Sequence, residues 1–490
     1  MTGIADHLIS LIIFTPLIGA LGLLLLPKEN DRSLRIFSLI VSLIPLALSI
    51  FLFFQYTDTG AFQFRERGPW ITAFNIYYDV GIDGLALVLI VLTAFIIPLV
   101  IGASWSQVHS KVREFHVLLF ILETAILGTL SALDIFLFYV FWEAMLIPMY
   151  FIIGIWGSAR RVYAALKFCL FTLAGSLLML VAILYLYNAA GKSFAWENLA
   201  SLVLPLTTQR WLFAAFCLAF AIKIPIIPFH TWLPDAHVEA PTGGSIILAA
   251  VLLKLGAYGL VRFAFPFFPD AAAQAMPWLA WFGLAGILYG GLVAMVQSDL
   301  KKLVAYSSIA HLGFVVIGLA SQTVEGWSGA AFTMLAHGLA TGLLFFLVGI
   351  LYERRHTREI ANFGGLARSL PLFTTLFMVA GLASLGLPSL SGFVGEYLAL
   401  VGTFKTYPII GGLACLGVVI AAVYILWAIE RIFFGASRNP ANAGLKDLNL
   451  SEWAVALPLI IGIFWLGIHP QTFLSKFDKT AIRWTQRMQP

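Results

Sequence analysis

The chain has 490 residues, of which 61% are hydrophobic and only 11% are charged. Because soluble domains carry about 25% charged residues, this composition excludes a soluble enzyme or binding module and indicates a protein that crosses a membrane many times. The net charge is +5. The basic residues lie in short loops, where they set membrane topology, so the charge does not indicate nucleic-acid binding. The three cysteines lie in apolar segments without metal-site or disulfide spacing.

Apolar runs of the length that spans a bilayer, about 20 residues, recur along the whole chain. They predict an all-α polytopic membrane protein with about fourteen transmembrane helices. The predicted spans, in chain order, are 4–26, 34–56, 84–103, 115–132, 134–153, 164–187, 211–229, 243–262, 277–297, 303–320, 328–351, 371–400, 408–434 and 453–469.

Three pairs of similar segments occur in the same order and at nearly the same spacing, which indicates an internal repeat. The pairs are 131–146 with 297–312, 170–180 with 331–346, and 221–229 with 384–393. Five helices separate the partners, and an odd number reverses the direction of the second copy in the membrane, as in many transporters. The predicted organisation is therefore helices 1–3 (1–114), a first repeat of helices 4–8 (115–262), an inverted repeat of helices 9–13 (277–434), and helix 14 with the tail (435–490).

Predicted helices 7 and 12 are interrupted at matching positions of the two repeats. The interrupting residues are Pro225 and Pro228 in one, and Gly386, Pro388 and Gly392 in the other. Proline frees a backbone carbonyl, and freed backbone at membrane depth must face protein or water. Paired breaks of this kind point to an ion site, although a simple proline kink is the alternative.

Lys and Arg residues divide unevenly between the two sets of alternate loops. The richer set comprises Lys28, Arg32, Arg35, Lys111, Arg113, Arg160, Arg161, Lys301, Lys302, Arg354, Arg355, Arg358, Arg368, Arg438 and Lys446. The poorer set comprises Arg65, Arg67, Lys192, Arg210, Arg262 and Lys405. The richer side is expected to be cytoplasmic, with both termini outside. The basic tail residues, Lys476, Lys479, Arg483 and Arg487, conflict with this topology.

Lys223 and Lys254 lie inside predicted spans, where a charge costs roughly 2.5–3.5 kcal/mol on insertion scales. Packing contacts alone do not offset that free-energy cost, so both lysines are candidate proton-handling groups. Glu143 lies in another span without a charged neighbour in sequence, and we expect it to pair with Lys223. Burial favours the neutral lysine and a nearby carboxylate favours the charged one, so changing their separation would release or hold a proton. A static buried ion pair is the alternative.

The other candidates extend this path along the chain. Lys254 is expected to be the central acceptor, and Glu396 the exit carboxylate beyond the break in helix 12. Histidine titrates near neutrality and can relay protons, and three histidines lie in or beside spans, although packing is the alternative for each: His230, His311 and His337. His237 is expected to be interfacial and structural. For Glu123, also within a span, a side-path role and a water-facing position both remain open.

No dinucleotide-binding glycine motif follows a strand, and no phosphate-binding loop is present in the sequence. The chain therefore shows no means of binding NADH or carrying electrons. We expect it to move charge while another subunit performs the redox step.

Four segments resemble the proton-translocating antiporter-like subunits of respiratory complex I. They are FWEAMLIPMYFIIGIWG (141–157), KIPIIPFHTWLPDAHVEAPTGGSIILAAVLLKLGAYGL (223–260), YSSIAHLGF (306–314) and LPSLSGFVGE (387–396). The resemblance covers nearly the whole chain. Within the superfamily, a glutamate at the position of Glu396 is similar to the M (chain 4) subunits, whereas the L and N subunits place a lysine there.

The resemblance implies fourteen helices, inverted five-helix repeats and a central hydrophilic axis. It implies Glu143 and Lys223 as the ion pair, Lys254 as the central lysine and Glu396 as the terminal carboxylate. The implied role is a non-redox, proton-translocating subunit of NADH–quinone oxidoreductase in a bacterial inner membrane. NADH, FMN, iron–sulfur clusters and quinone would bind partner subunits, no metal would bind this chain, and its neighbours would be L- and N-type subunits. The rivals are an Mrp-type Na⁺/H⁺ antiporter subunit, a membrane subunit of an energy-converting hydrogenase, and a scaffold with fixed ion pairs.

Overall fold

The computed structural model describes residues 7–436 and 439–488, so the first residues of the first predicted span and Arg438 lie outside the described part. Twelve helices there are long and apolar enough to cross a membrane. The helices are α1 (Leu8–Leu25), α2 (Asp31–Gln55), α3 (Gly84–Ser104), α4 (Val112–Ser131), α5 (Ile135–Ala144), α6 (Leu146–Trp156), α7 (Arg161–Ala189), α8 (Trp196–Ala200), α9 (Leu206–Lys223), α10 (Trp232–Glu239), α11 (Thr242–Phe267), α12 (Pro269–Met295), α13 (Leu300–Ala320), α14 (Val324–Arg355), α15 (Pro371–Ser384), α16 (Ser391–Thr406), α17 (Pro408–Phe433), α18 (Leu450–Ile468), α19 (Gln471–Leu474) and α20 (Asp478–Arg487). The twelve include α5 and α6 as one continuous span.

The two remaining predicted spans, 211–229 and 371–400, are each a broken pair of helices. In the first, α9 ends at Lys223 and α10 begins at Trp232. In the second, α15 ends at Ser384 and α16 begins at Ser391. Both predicted interruptions are therefore confirmed, and the turn of the second contains Gly386 with a φ of +80°.

An antiparallel hairpin, β1 (Gln63–Ile71) and β2 (Ile76–Ile82), follows α2. The all-α prediction is wrong for this segment, which is too polar to cross the membrane. Arg65 on β1 donates to Asp79 at 2.6 and 2.8 Å and to Glu197 at 2.5 Å. The hydrogen bonds to Asp79 raise the pKa of Arg65, so this guanidinium remains charged and ties the hairpin to α8.

The connections between helices lie at two opposite ends of the bundle. We call the end that carries the hairpin, α8 and α20 the hairpin face. Asp58 links these parts by accepting from the backbone N–H groups of Lys479 and Thr480 at the start of α20. We call the other end, which carries most of the described loop Lys and Arg residues, the basic face. Arg358 and Lys301 tie its loops together by donating to backbone carbonyls at 238 and 240.

The helices differ in how much of their surface other helices cover. The most apolar parts of α11 and α14 are 100% buried and that of α13 is 94% buried, whereas the corresponding value is 28% for α18. Side chains on α11, α13 and α14 therefore lie in the protein interior, whereas other helices of this chain leave most of the α18 surface uncovered. A polar residue on the three central helices can be satisfied only by other protein groups or by trapped water.

Candidate functional site

Lys254 lies in the middle of α11 and is 0% exposed. Two π-helical segments, Leu248–Leu252 and Leu260–Ala264, flank it. Such bulges change the direction of side chains and leave carbonyls without their usual partner, and they are frequent at functional sites. Gly256 lets α11 approach the end of α9 closely, since a Cβ at Gly256 would lie 2.6 Å from the Phe220 carbonyl oxygen.

The ammonium of Lys254 has two partners. It donates to the carbonyl oxygen of Ala249, inside the first π segment. It also contacts His337 Nδ1 on α14 at 2.8 Å. An ammonium has only donors, so Nδ1 accepts this bond while Lys254 is charged. His337 Nε2, on the far side of the ring, has no hydrogen-bond partner among the described residues.

His311 on α13 continues this arrangement toward α16. The His337 and His311 rings lie 5.9 Å apart between centroids. His311 Nδ1 lies 2.6 Å from Glu396 Oε1, and its Nε2 lies 3.0 Å from Ser384 Oγ. Lys254, His337, His311 and Glu396 thus follow one another across four helices, of which only α13 and α14 are consecutive in the sequence.

A cavity of about 10 Å³ lies between the two histidines and Glu396. That is roughly the space that one water molecule needs. The hydroxyls of Thr333 and Thr341 line it, and neither has a partner among the described residues. A water at this position would find several polar partners, and it would bridge the one step of the series that is too long for a direct hydrogen bond.

Glu396 owes its position to the break between α15 and α16. It lies in the second turn of α16, is 5% exposed, and faces back toward the turn. A Cβ built on Gly386 would come within 3.2 Å of Glu396 Oε2. The absence of a side chain at Gly386 therefore leaves room for the carboxylate beside His311.

Lys223 ends α9 at the first break and is 1% exposed. Its ammonium lies 5.3 Å from the ring centroid of Trp142 and 5.5 Å from that of Phe168. Neither Lys223 Nζ nor Glu143 Oε1 has a hydrogen-bond partner among the described residues. The expected contact between Glu143 and Lys223 is therefore not formed in this structure, although the two groups are close enough to interact through charge.

His230 does not join the series that contains Lys254. It is 6% exposed, its Nδ1 has no partner within the described residues, and its ring faces Tyr289 at 5.3 Å between centroids. His237 was expected to be interfacial, and this was wrong. It is 0% exposed, stacked on Phe345 at 4.5 Å, and both ring nitrogens lack partners in the described part of the chain.

Two buried residues were missed or misplaced by the sequence reasoning. Arg262, expected in a loop, is 1% exposed in α11 and donates to Asp83 at 2.7 Å. His237 lies in α10, at a position that no spacing in the sequence marked as buried. Polar neighbours concealed it, because Asp235 and Glu239 suggest a surface segment.

Comparison with known proteins gives family matches over most of the chain. Residues 132–421 match the family described as "NADH:quinone oxidoreductase/Mrp antiporter, TM". Residues 11–129 match "NADH-ubiquinone oxidoreductase chain 4, amino terminus". The two matches together include the candidate residues on α5, α9, α11, α13, α14 and α16.

Individual relatives are similar over nearly their whole length. NADH-quinone oxidoreductase subunit M of Rickettsia prowazekii is 42% identical, covering 96% of this chain and 97% of the relative. NADH-ubiquinone oxidoreductase chain 4 of Marchantia polymorpha is 41% identical, covering 95% and 94%. A chain of respiratory complex I from Thermus thermophilus with bound NADH has a similar structure, with a TM-score of 0.91 at 34% identity, covering 98% of this chain and 100% of that one.

Proposed function

The chain belongs to the NADH:quinone oxidoreductase/Mrp antiporter family, among its M (chain 4) subunits, and from this premise we propose that its buried charges form a proton-conducting axis. The chain is a non-redox, proton-translocating membrane subunit of an NADH–quinone oxidoreductase. NADH, flavin, iron–sulfur clusters and quinone belong in this proposal to partner subunits, among them L- and N-type neighbours in a bacterial inner membrane.

One observation carries the proposal: four titratable groups from α11, α14, α13 and α16 follow one another inside the bundle. Lys254 to His337 spans 2.8 Å and His311 to Glu396 spans 2.6 Å. Between the histidines, the cavity accommodates about one water molecule. A proton leaving Lys254 can therefore reach Glu396 through the two imidazoles without crossing apolar side chains.

Lys223 and Glu143 form the switch that controls the axis in this proposal. With the ammonium out of hydrogen-bond contact with Glu143, this structure corresponds to the separated arrangement, in which burial favours release of the lysine's proton. Approach of Glu143 would favour the charged lysine again. Moving one charge against a membrane voltage near 200 mV requires roughly 4–5 kcal/mol, which a change between a paired and an unpaired buried charge can supply.

The architecture supports fourteen crossings and inverted repeats. Counting each broken pair as one crossing adds two to the twelve candidate spans and brings both ends of the described chain to the hairpin face. Asp134 and Asp299 occupy equivalent positions, since each accepts from the N–H groups of the second and third residues of the helix that it caps. Each also forms an isolated bridge, Asp134 with Ala195 and Asp299 with Glu359. The basic face is cytoplasmic in this proposal.

The test is NADH-driven acidification of inverted membrane vesicles from wild type and Lys223→Ala at matched amounts of assembled complex. We expect NADH oxidation and acidification both to collapse in Lys223→Ala, because the axis loses the cation of its Glu143–Lys223 switch. Lys192→Ala, an exposed lysine on the hairpin face, is the matched control and keeps both activities.

Acidification at the wild-type ratio to NADH oxidised in Lys223→Ala would contradict the axis and favour a scaffold with a fixed charge. If NADH drives no acidification in wild-type vesicles that contain the assembled complex, the Na⁺/H⁺ antiporter or hydrogenase subunit becomes the better assignment.

A further inference from the structure

A polar cavity of about 220 Å³ opens at the basic face, remote from Glu396 in the fold. The loop before α7, the start of α11 and the end of α14 form its walls, with Ser158, Thr242 and Glu353 among the lining residues. We call this cavity the vestibule. Its volume corresponds to several water molecules, at about 30 Å³ each in the liquid, so it is a hydrated recess in a mostly apolar protein.

Lys301 is a buried cation in the wall of the vestibule. Its side chain lines the cavity, yet the residue is only 5% exposed, whereas the neighbouring Lys302 is more accessible. The ammonium donates to the Ala240 carbonyl at 2.6 Å. Since an ammonium carries three donors and the described residues give it this one acceptor, two donors remain for water.

His237 is a fully buried imidazole near both Lys301 and Lys254. Both Lys301 and Lys254 are close enough to His237 to interact with it through charge. Its ring is held flat against Phe345, with 2° between the planes, and neither ring nitrogen has a partner among the described residues. An imidazole that is fully buried and unpaired is costly, which indicates that its nitrogens serve transient partners.

We propose that the vestibule is the hydrated entrance to the buried axis, and that Lys301 carries each proton from it toward His237. The inference rests on the proposed function. It adds the face of the membrane at which protons enter, and it gives Lys301 the role of passing them on. The Lys301 ammonium gives one proton toward His237, and the resulting amine takes one from water in the vestibule. One proton enters for each proton passed on, and His237 gives its proton to Lys254 when that lysine is neutral.

The other charged groups around the vestibule are consistent with proton entry. Arg358 contacts Asp299 at 3.3 Å and donates to the Val238 carbonyl, so its charge is already paired. Glu353 lines the mouth, and the imidazoles of His109 and His356 are near enough to interact with it through charge. Glu353 therefore places a carboxylate at the opening of the vestibule.

The deciding experiment compares three substitutions of Lys301 in the NADH-driven vesicle assay at matched amounts of assembled complex. Arginine keeps the charge and a donor for the Ala240 carbonyl but does not release its proton. A relay predicts that Lys301→Arg and Lys301→Gln both reduce acidification to the level of vesicles without the complex. Lys301→His can exchange a proton and should restore part of the rate, most at a pH near 6.5. Lys302→Gln and Lys302→Arg are the matched controls and retain wild-type rates.

Full acidification in Lys301→Arg would overturn the relay and assign Lys301 a structural role. Lys254→Ala, measured in parallel, separates the two proposals. If Lys254→Ala also acidifies normally, the buried axis itself is wrong. If only Lys301→Arg does, the entrance alone is wrong.

A second measurement tests the vestibule without altering Lys301. In a chain whose three cysteines are replaced by serine, Ser158→Cys should react with a membrane-impermeant, charged thiol reagent in inverted vesicles and not in right-side-out cells. The bound reagent should then stop acidification. Absence of labelling, or labelling that leaves acidification unchanged, would show that protons do not enter through this cavity.

Discussion

Buried polar side chains in this protein differ in whether they contact one another. Lys254, His337, His311 and Glu396 come from four helices and lie in sequence inside the bundle. Each would be costly to bury alone, and contacts between them offset part of that cost. Glu123 on α4 is the opposite case: it is 0% exposed, and neither carboxyl oxygen has a partner among the described residues.

The isolation of Glu123 predicts that it is dispensable for proton transfer. Burying a polar group without a hydrogen-bond partner costs free energy, and an apolar side chain of similar size removes that cost. Glu123→Leu should therefore keep wild-type acidification and unfold at an equal or higher temperature, measured on the purified complex. Loss of acidification in Glu123→Leu together with its retention in Glu123→Asp would place this carboxyl on a side path instead.

Helix interruptions were predictable from the sequence, but their consequences were not. Pro225 and Gly386 mark both breaks, because proline and glycine disfavour a continuous helix through known backbone effects. The π segments around Lys254 have no such marker, since an extra residue in a turn depends on packing against α9 and α14. The hairpin carried one weak signal, Asn75 at a φ of +53° in its turn. Which histidines meet depends on contacts between distant helices, so His311 and His337 could be chosen as candidates but not placed beside their partners.

The break between α15 and α16 gives a prediction for Gly386. A side chain there is strained by the φ of +80°, at about 1–2 kcal/mol for a left-handed residue, and its Cβ would crowd Glu396 Oε2 at 3.2 Å. Gly386→Ala should lower the unfolding temperature of the complex. It should also reduce acidification, because Glu396 moves away from His311. Gly412→Ala on α17, where a Cβ meets nothing within 4 Å, is the control. An unchanged acidification rate in Gly386→Ala would mean that this turn does not set the position of Glu396.

The whole molecule places its polar features asymmetrically between the two faces. The vestibule and most of the described loop Lys and Arg residues lie at the basic face, whereas the hairpin, α8 and α20 close the opposite end. The basic tail conflicts with the charge rule for topology, yet specific contacts hold its cations there. Lys476 donates to the Tyr56 carbonyl at 2.8 Å and lies 4.7 Å from the ring centroid of Phe53. The guanidinium of Arg487 lies 4.9 Å from the ring centroid of Trp196.

These contacts predict that the tail lies on the outer side despite its positive charge. The positive-inside rule applies to short loops beside the spans, whereas packing holds α20 beside the hairpin. In a background without native cysteines, Lys479→Cys should react with an impermeant maleimide in right-side-out cells and stay protected in inverted vesicles. Lys28→Cys, exposed on the basic face, should give the reverse result. Labelling of both positions from the same side would require an even number of crossings between them, instead of the thirteen that fourteen spans give. Since one broken pair folded as a re-entrant loop would leave twelve crossings, this result would mean that one of the two broken pairs does not span the membrane.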